Sequence, residues 1–447
     1  MVRHKVRIVF QVLFCLHLLV TAAMVIFITV YGLNSDSRNP NFHPWKWYPQ
    51  LLAATVSAGI TAFMWQRNTY DRSPDAFKEP FWLSPILTSL MALMLMYIGT
   101  ALSVSLAVLS FASALAQLIY GVWVAPRFEY ATDIFWTATA LPPDGTRELL
   151  APQSIAIGVL YCCFLVLGIG GATALDENKT KSAIFFILVI MLSMFWTMQF
   201  LKNVIQLTVS SVKYIEMVRS VTMDINAARC IAIRGFSGRI AMGSILVPVM
   251  TLFRSFALLM GFTRISTVLA KCGNRWGFLC VGVYNSGFVQ ASSFTWEMFT
   301  RDGMVPLIES DLIEPFCFLS GLGVGAVCSM VSGFLSLVLH QSYAVEVSIY
   351  AFFIGYFMCR LALGWQEASV AAYYVAYMVR PSSRSIRRAL EQIQRSQAGS
   401  SSTSTSTSIL RSQVGSSSIS APILRSDDQG SSSTSAPLLK KESEPTN

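Results

Sequence analysis

The most informative residues of this sequence form a polar and aromatic stripe inside one long apolar segment. Six of them recur at steps of three and four residues: Ser193, Trp196, Gln199, Asn203, Gln206 and Ser210. On an α-helix this spacing places them on one face. Because an amide without a hydrogen-bond partner is costly in hydrocarbon, the stripe is expected to face protein or a water-filled cavity rather than lipid. Two interpretations stay open: the amides hold neighbouring helices together, or the stripe lines the path of a substrate.

The composition of the chain predicts an integral membrane protein. Of its 447 residues, 53% are hydrophobic and 13% are charged, which is about half the charged fraction of an average protein. Repeated apolar runs of about 18 residues or more predict an all-α polytopic protein and exclude a transmembrane β-barrel, whose strands alternate in polarity. The net charge of +9 does not indicate nucleic-acid binding, because most of the cations lie at the ends of apolar segments, where they face anionic headgroups.

Neither a metal site nor an enzyme active site is expected. The nine cysteines form no CxxC pair, and we interpret them as small packing residues. The chain has four histidines, so a multi-histidine metal site is not expected either. A membrane enzyme would need a polar catalytic cluster in its spans, such as HxxE, GxSxG or paired Asp, and the sequence has none. No cofactor and no catalytic residue are therefore predicted.

The apolar runs predict about ten transmembrane helices within residues 1–380. A basic juxtamembrane segment (381–397) and a disordered Ser/Thr-rich tail (398–447) follow. Cations precede the first run and follow the last one, which places both termini in the cytoplasm by the positive-inside rule. This arrangement requires an even number of crossings.

Simple alternation of crossings fails in the middle of the chain. Residues 213–239 and 262–275 are both basic and flank a single span, so they cannot both be cytoplasmic. Either one of them is external despite its charge, or 276–299 is not a full crossing. The sequence Tyr284-Asn285-Ser286-Gly287 favours a discontinuous or re-entrant helix, because non-helical backbone at membrane depth is tolerated only where it is buried or lines a cavity.

The tail is too polar to bury enough apolar surface to fold. A short unit recurs in it three times, at 407–411, 421–425 and 436–440. The repeats are either a tandem duplication without function or sorting signals. In the second interpretation their Ile-Leu and Leu-Leu pairs bind sorting adaptors, and phosphorylation of the tail regulates that binding.

Three stretches of the central region occur in an order typical of one membrane protein family. They are Phe195-Trp196-Thr197 through Lys202-Asn203-Val204 to Thr208-Val209, Gly243-Ser244-Ile245-Leu246 leading to Arg254, and Asn274-Arg275-Trp276 followed by Gly282-Val283-Tyr284. Through them the chain resembles the choline transporter-like family from about residue 151 to 381. The resemblance implies a carrier of roughly ten spans that moves choline or related cationic metabolites across plasma or organelle membranes. The chain lacks the large first loop of the animal members, as expected for a plant or fungal type.

A choline-like substrate would need a particular kind of site. A quaternary ammonium cannot donate a hydrogen bond from nitrogen, so recognition requires aromatic faces, each contributing about 0.5 to 2 kcal/mol, and a polar group for the hydroxyl. The expected substrate-binding residues are Trp196, Gln199, Asn203, Trp276 and Tyr284. For any single aromatic residue, packing in the core or against lipid is the alternative interpretation.

The expected transport is facilitative and driven by the membrane potential. One charge moving through about 100 mV gains about 2.3 kcal/mol, enough for tens-fold accumulation without a coupling ion. Glu297 and Glu346 are the candidates if an antiported proton is used. The plasma membrane is the expected location. The alternative from another class is a non-transporting membrane scaffold or trafficking protein, which would need no cavity.

Overall fold

Regular structure is helical throughout the part of the chain that the computed structural model describes, which is residues 2–35, 44–71, 74–173, 180–339, 344–381 and 383–395. The helices are α1 (Val2–Ser35), α2 (Pro44–Asp71), α3 (Glu79–Ile98), α4 (Ala101–Val124), α5 (Phe128–Thr139), α6 (Ala151–Thr173), α7 (Thr180–Arg219), α8 (Ile225–Leu259), α9 (Thr263–Cys272), α10 (Gly277–Tyr284), α11 (Phe288–Arg301), α12 (Val305–Glu309), α13 (Ile313–Leu339), α14 (Ala344–Ala362), α15 (Gly364–Val379) and α16 (384–395). Short helical turns lie at Pro74–Phe77, Ala125–Arg127 and Thr146–Leu150. The prediction of an all-α protein is confirmed.

Eight segments of the described chain are long and apolar enough to cross a membrane. They are Val6–Gly32, Asp75–Ile98, Ala101–Thr139, Thr146–Ala172, Ser182–Arg219, Ile225–Leu259, Val305–Leu339 and Ala344–Ala362. The predicted second span, α2, is less apolar, but it packs along α6, α13 and α14 inside the bundle. It is thus packed inside the helix bundle, while its crossing of the membrane stays a prediction.

The turn between α3 and α4 illustrates how local sequence ends one span and begins the next. Gly99 adopts a left-handed conformation with φ of 75°, which terminates α3 at little steric cost because glycine has no Cβ. Thr100 then caps α4: its side chain accepts a hydrogen bond from the Ser103 amide at 3.1 Å, and the Ser103 hydroxyl accepts one from the Thr100 amide at 3.0 Å. This capping box allows the tight hairpin between the two spans.

Close contacts at glycines fix the directions of the first helices. Near the ends of α1 and α6, Ile28 packs against Gly171, so these two helices run the same way. Tyr48 at the start of α2 packs against Gly170 of α6, so α2 runs the opposite way. We call the end of the bundle at which α6 begins (Ala151) the first end, and the opposite end the second end.

A second group of helices, α3, α13 and α14, is ordered in the same manner. Gly333, late in α13, contacts Met94, late in α3, and Ser348, early in α14. α13 is therefore parallel to α3 and antiparallel to α14. At its other end, Phe316 stacks on Phe77 with ring centroids 4.9 Å apart. Since Phe77 lies between the end of α2 and the start of α3, α13 begins at the first end.

Helix α8 stays near the first end at both of its ends. Near its start, Arg229 donates a hydrogen bond to Gln153 of α6. Near its end, Arg254 lies 3.1 Å from Glu309, just before α13, and α13 begins at the first end. The 35 residues of α8 therefore do not carry the chain to the second end, and α9 to α12 connect α8 with α13. The number of about ten crossings stays a prediction.

The segment between α8 and α13 is broken at the predicted place. α10 ends at Asn285, which has a left-handed φ of 52°, and α11 turns back alongside α10. Asn274 holds this pair together: its amide nitrogen donates to the carbonyls of Ala270 (2.9 Å) and Ser292 (2.8 Å), and its amide oxygen accepts from the Gly277 amide (3.0 Å). The segment is thus two short helices, the hairpin α10–α11, rather than one continuous helix, as the sequence predicted for a discontinuous segment.

The last helices lie inside and beside the first end of the bundle. α15 follows α14 after a single residue, Leu363, and its residues 364–376 are all buried. α16 rests on α5, with Ile386 and Ala389 buried and Arg388 4.0 Å from Asp133. The predicted Ser/Thr-rich tail, with its three repeats, lies outside the described residues.

The contact between α10 and α11 predicts the effect of one substitution. In Gly277→Ala, the new Cβ would lie 2.5 Å from the Ser292 hydroxyl and 3.1 Å from its backbone nitrogen. The two helices must separate, and overpacking of this kind costs about 1–3 kcal/mol. We expect a lower midpoint of thermal unfolding by size-exclusion chromatography of heated, purified protein. Gly287→Ala is the matched control, because nothing lies within 4 Å of its added Cβ; equal losses in both variants would contradict the prediction.

Candidate functional site: the polar interior around α7

The stripe of α7 faces protein. Ser193, Asn203, Gln206 and Ser210 are all buried. Trp196 packs against two rings of α1, with its centroid 5.3 Å from that of Phe14 and 4.6 Å from that of His17. The Trp196 indole nitrogen donates to the Ala241 carbonyl of α8 at 3.4 Å. The expectation that these side chains avoid lipid is therefore met.

The amides of the stripe form a hydrogen-bonded row between α7 and its neighbours. Gln199 donates to the Asn203 side-chain oxygen at 3.4 Å, and Asn203 donates to the Ser244 hydroxyl of α8 at 2.9 Å. One turn further, Gln206 donates to the backbone carbonyl of Arg275 at 3.1 Å. These hydrogen bonds agree with the interpretation that the amides hold neighbouring helices together. They do not test the substrate-path interpretation, which stays a prediction.

The two predicted aromatic residues outside α7 lie at opposite ends of α10. Trp276 is buried just before the helix, edge-on to Phe299 with centroids 5.4 Å apart. Tyr284 ends the helix with 47% of its surface exposed, and its hydroxyl lies 3.0 Å from that of Tyr214. An eight-residue helix is about 12 Å long. The structure thus groups Trp196, Gln199 and Asn203 on one face and separates Trp276 from Tyr284.

A buried ion-pair network lies beside the stripe, and the sequence analysis missed it. The Lys202 ammonium of α7 is 2.7 Å from the Glu367 carboxylate of α15, and the two side chains are only 4% and 3% exposed. Arg275 pairs with Asp311 and lies 3.7 Å from Glu367 and 3.5 Å from Glu314. The network thus connects α7 and α15 with the segments that lead into α10 (Arg275) and α13 (Asp311) and with the first turn of α13 (Glu314).

Two further side chains complete the network. The Tyr374 hydroxyl of α15 donates to Asp311 at 3.1 Å. Arg360, near the end of α14, lies close enough to Glu367 and Glu314 to interact with both electrostatically. Three cations therefore face three carboxylates. Lys202 could have revealed this network in the sequence, since a lysine inside a long apolar helix implies a buried counter-charge.

The charge state of Glu367 follows from these neighbours. Burial alone would raise the pKa of Glu367, but the charges of Lys202, Arg360 and Arg275 lower the pKa from 4.5 to about 2. The carboxylate is therefore ionised at neutral pH. Because the pKa is depressed in the folded state, this stabilisation is present above about pH 4.5 and is lost as the pH falls towards 2.

The two carboxylates considered for proton coupling lie apart from this network. Glu297 on α11 is exposed and accepts a hydrogen bond from Ser293 at 3.2 Å. Glu346 is in the first turn of α14, at the second end. Nothing in their contacts decides for or against coupling, which stays a hypothesis.

The central ion pair predicts a stability experiment. Glu367→Gln leaves the Lys202 ammonium buried without its nearest counter-charge, and breaking a buried pair in this way costs about 3–5 kcal/mol. We expect a large drop in thermal stability of the purified protein. The double variant Glu367→Gln/Lys202→Met removes the stranded charge and should be more stable than Glu367→Gln alone.

Glu309→Gln provides the control for this experiment. Glu309 is 51% exposed in its pair with Arg254, and exposed pairs contribute only about 0–1 kcal/mol. The control should therefore stay close to the unmodified protein. Additive losses in the Glu367/Lys202 double variant would contradict the interpretation of the pair as mutually dependent.

Comparison with known proteins connects these elements. A family model described as plasma-membrane choline transporter matches residues 82–382, more than half of the 447 residues. The matched range contains the α7 stripe, the broken α9–α12 segment and the complete ion-pair network. No curated protein matches the chain.

Proposed function

The chain belongs to the plasma-membrane choline transporter family, and we propose that it carries choline or a related organic cation across the plasma membrane. The family match carries this proposal. A membrane transporter role follows from the family itself, whereas the substrate is our inference.

The chemistry of the interior supports an organic cation as the substrate. A quaternary ammonium binds to aromatic faces and needs no hydrogen-bond acceptor at nitrogen. Trp196 and Trp276 are the aromatic residues at the stripe and at the start of α10, and Gln199 and Asn203 are amides that suit a hydroxyl group. Tyr284 ends α10 with 47% of its surface exposed, so its ring is open to a ligand.

The broken segment supports movement. The backbone at residues 285–287 leaves the helical conformation between α10 and α11, and such irregular backbone inside a membrane protein is a recurrent feature of carrier sites. The start of the α10–α11 hairpin is held by Asn274 and by Arg275, so its position against α7 depends on the ion-pair network. We therefore propose that movement occurs at the break of residues 285–287 and leaves these contacts intact.

The proposed transport is facilitative and follows the membrane potential. The network presents three cations and three carboxylates that neutralise each other, and this leaves no isolated buried carboxylate in it for a coupling proton. The orientation, with both termini in the cytoplasm, and the adaptor-binding role of the tail remain predictions. A location in the plasma membrane agrees with the description of the family.

Uptake into liposomes tests the driving force. We expect purified full-length protein in proteoliposomes to take up labelled choline at a rate that rises with an inside-negative potassium diffusion potential, because one charge gains about 2.3 kcal/mol per 100 mV. Collapsing the potential should reduce accumulation to equilibration. The absence of uptake for choline, ethanolamine and related cations would favour the scaffold alternative.

Substitution of the indoles tests the predicted site. In Trp196→Phe and Trp276→Phe a weaker aromatic face replaces the indole, which forfeits part of an interaction of about 0.5–2 kcal/mol. We expect the KM for choline to rise about 2- to 10-fold in each variant and further in the double variant, with the maximal rate largely retained. Trp82→Phe, whose indole is 40% exposed on α3, should leave KM unchanged. An unchanged KM in the double variant would remove these residues from the site.

A further inference from the structure

Helix α9 is held against the protein by one of its faces. Ser266 and Ala270 on this face are buried. The Ser266 hydroxyl accepts a hydrogen bond from Arg254 of α8 at 3.3 Å, and Arg254 also pairs with Glu309. The Ala270 carbonyl accepts a hydrogen bond from the Asn274 side chain at 2.9 Å. These contacts fix the rotation of α9 about its axis, and with it the directions of its two remaining faces.

The second face of α9 is apolar and exposed. Ile265 and Val268 lie on it, and they are 52% and 59% exposed. The same character continues back through the turn that joins α8 to α9, where four large apolar side chains are more than half exposed: Phe256, Leu259, Met260 and Phe262. In a membrane protein a continuous exposed apolar surface of this kind is suited to contact with acyl chains.

The third face of α9 carries positive charge. Arg264, Thr267 and Lys271 recur at steps of three and four residues and so share one side of the helix. The sequence from 262 to 275 contains no Asp or Glu. Neither Arg264 nor Lys271 makes a hydrogen bond or an ion pair with the residues that the structure describes. Both cations of this face are therefore available to an external anion.

The length of α9 determines how it can meet a membrane. Its ten residues extend about 15 Å, which is half of the roughly 30 Å of hydrocarbon in a bilayer, so the helix cannot cross. A short helix with an exposed apolar face beside a cationic face is typical of helices that lie in the membrane surface. The Arg254–Glu309 pair places α9 near the first end, at which α1 also begins. In the predicted orientation this end is cytoplasmic, and the cytoplasmic leaflet is the anionic one.

We propose that α9 lies in the surface of the cytoplasmic leaflet and binds anionic phospholipid headgroups through Arg264 and Lys271. Ile265 and Val268 lie among the upper acyl chains. The Arg264 guanidinium is suited to two parallel hydrogen bonds with a lipid phosphate, and the long stem of Lys271 lets its ammonium reach the headgroups. This inference depends on the predicted orientation of the chain but not on the substrate that the protein carries.

A second copy of the chain fits this surface less well than lipid does. Stable protein interfaces bury about 1,200–2,000 Å² in total, more than a helix of ten residues provides. In a two-fold dimer the same surface would meet itself. Arg264 and Lys271 would then approach their own copies, and like charges repel. A leaflet with anionic headgroups instead offers opposite charge beside apolar chains, which matches both exposed faces.

Hydrogen exchange of the full-length protein in nanodiscs tests the charge half of the proposal. In phosphatidylcholine nanodiscs that also contain phosphatidylglycerol, we expect the amides of α9 to exchange about 5- to 30-fold more slowly than in pure phosphatidylcholine, because each surface cation contributes about fivefold to binding at an anionic membrane. Sodium chloride at about 1 M should remove the difference by screening. Equal exchange in the two nanodiscs at low salt would overturn the proposal.

The variant Arg264→Gln/Lys271→Gln should lose this dependence on anionic lipid. The matched control is Lys78→Gln/Arg301→Gln, which also removes two cations, each of them paired with a neighbouring carboxylate, and it should retain the dependence. Exchange in α13 reports in each variant whether the bundle is folded. If the α9 double variant with intact α13 protection still responds to phosphatidylglycerol, the two cations do not bind the lipid and the assignment is wrong.

Photocrosslinking tests the apolar half and separates lipid from a second copy. The crosslinking residue p-benzoyl-phenylalanine replaces Val268 in one variant and Thr267, on the cationic face, in the other. In nanodiscs we expect lipid adducts mainly from position 268, identified by mass spectrometry. A crosslinked dimer from position 268 would show that another chain covers this face, and equal lipid adducts from both positions would show that α9 is not oriented as proposed. Either result would overturn the inference.

Discussion

Lys202 can lie inside the helix bundle only because the Glu367 carboxylate is 2.7 Å from its ammonium group. Each charge alone would pay a desolvation penalty of several kcal/mol, and their attraction offsets it only with close geometry and further partners. Arg275 and Arg360 supply such partners to Glu367, and Asp311 and Glu314 balance Arg275. The positions of α7, α10, α13 and α15 are therefore mutually dependent, since no single helix can leave without exposing an unpaired charge.

This dependence explains why α15 lies in the interior although it is not one of the eight candidate spans. Its Glu367 must reach Lys202, and its Tyr374 must reach Asp311, so the helix packs chiefly along α7. Gly364 allows the approach at its start, where a Cβ would lie 3.3 Å from the Lys202 side chain.

Features that depend on neighbouring residues could be predicted from the sequence, and features that depend on a partner far away in the chain could not. The periodic apolar runs, the inward face of the α7 stripe and the break after Tyr284 could each be predicted from neighbouring residues. The pairing of Lys202 with Glu367 could not, because the two lie far apart in the chain and many arrangements of the helices satisfy the same pattern. The separation of Trp276 from Tyr284, by contrast, could be predicted, since eight residues of any α-helix place its two ends about 12 Å apart. Aromatic residues of α15 could equally suit a membrane interface or a protein core.

The balance of charge in the network also bears on how an organic cation could pass close to it. An unpaired carboxylate next to a cation at about 4 Å would attract it by about 4 kcal/mol at an effective dielectric constant near 20, which slows release. Three cations matched to three carboxylates produce no such trap and no barrier of equal size. In the proposed site, recognition rests on aromatic faces of about 0.5–2 kcal/mol each, which are strong enough together to select a quaternary ammonium and weak enough singly to release it. A buried but neutral network beside the α7 stripe therefore suits a carrier better than a tight cation-binding protein.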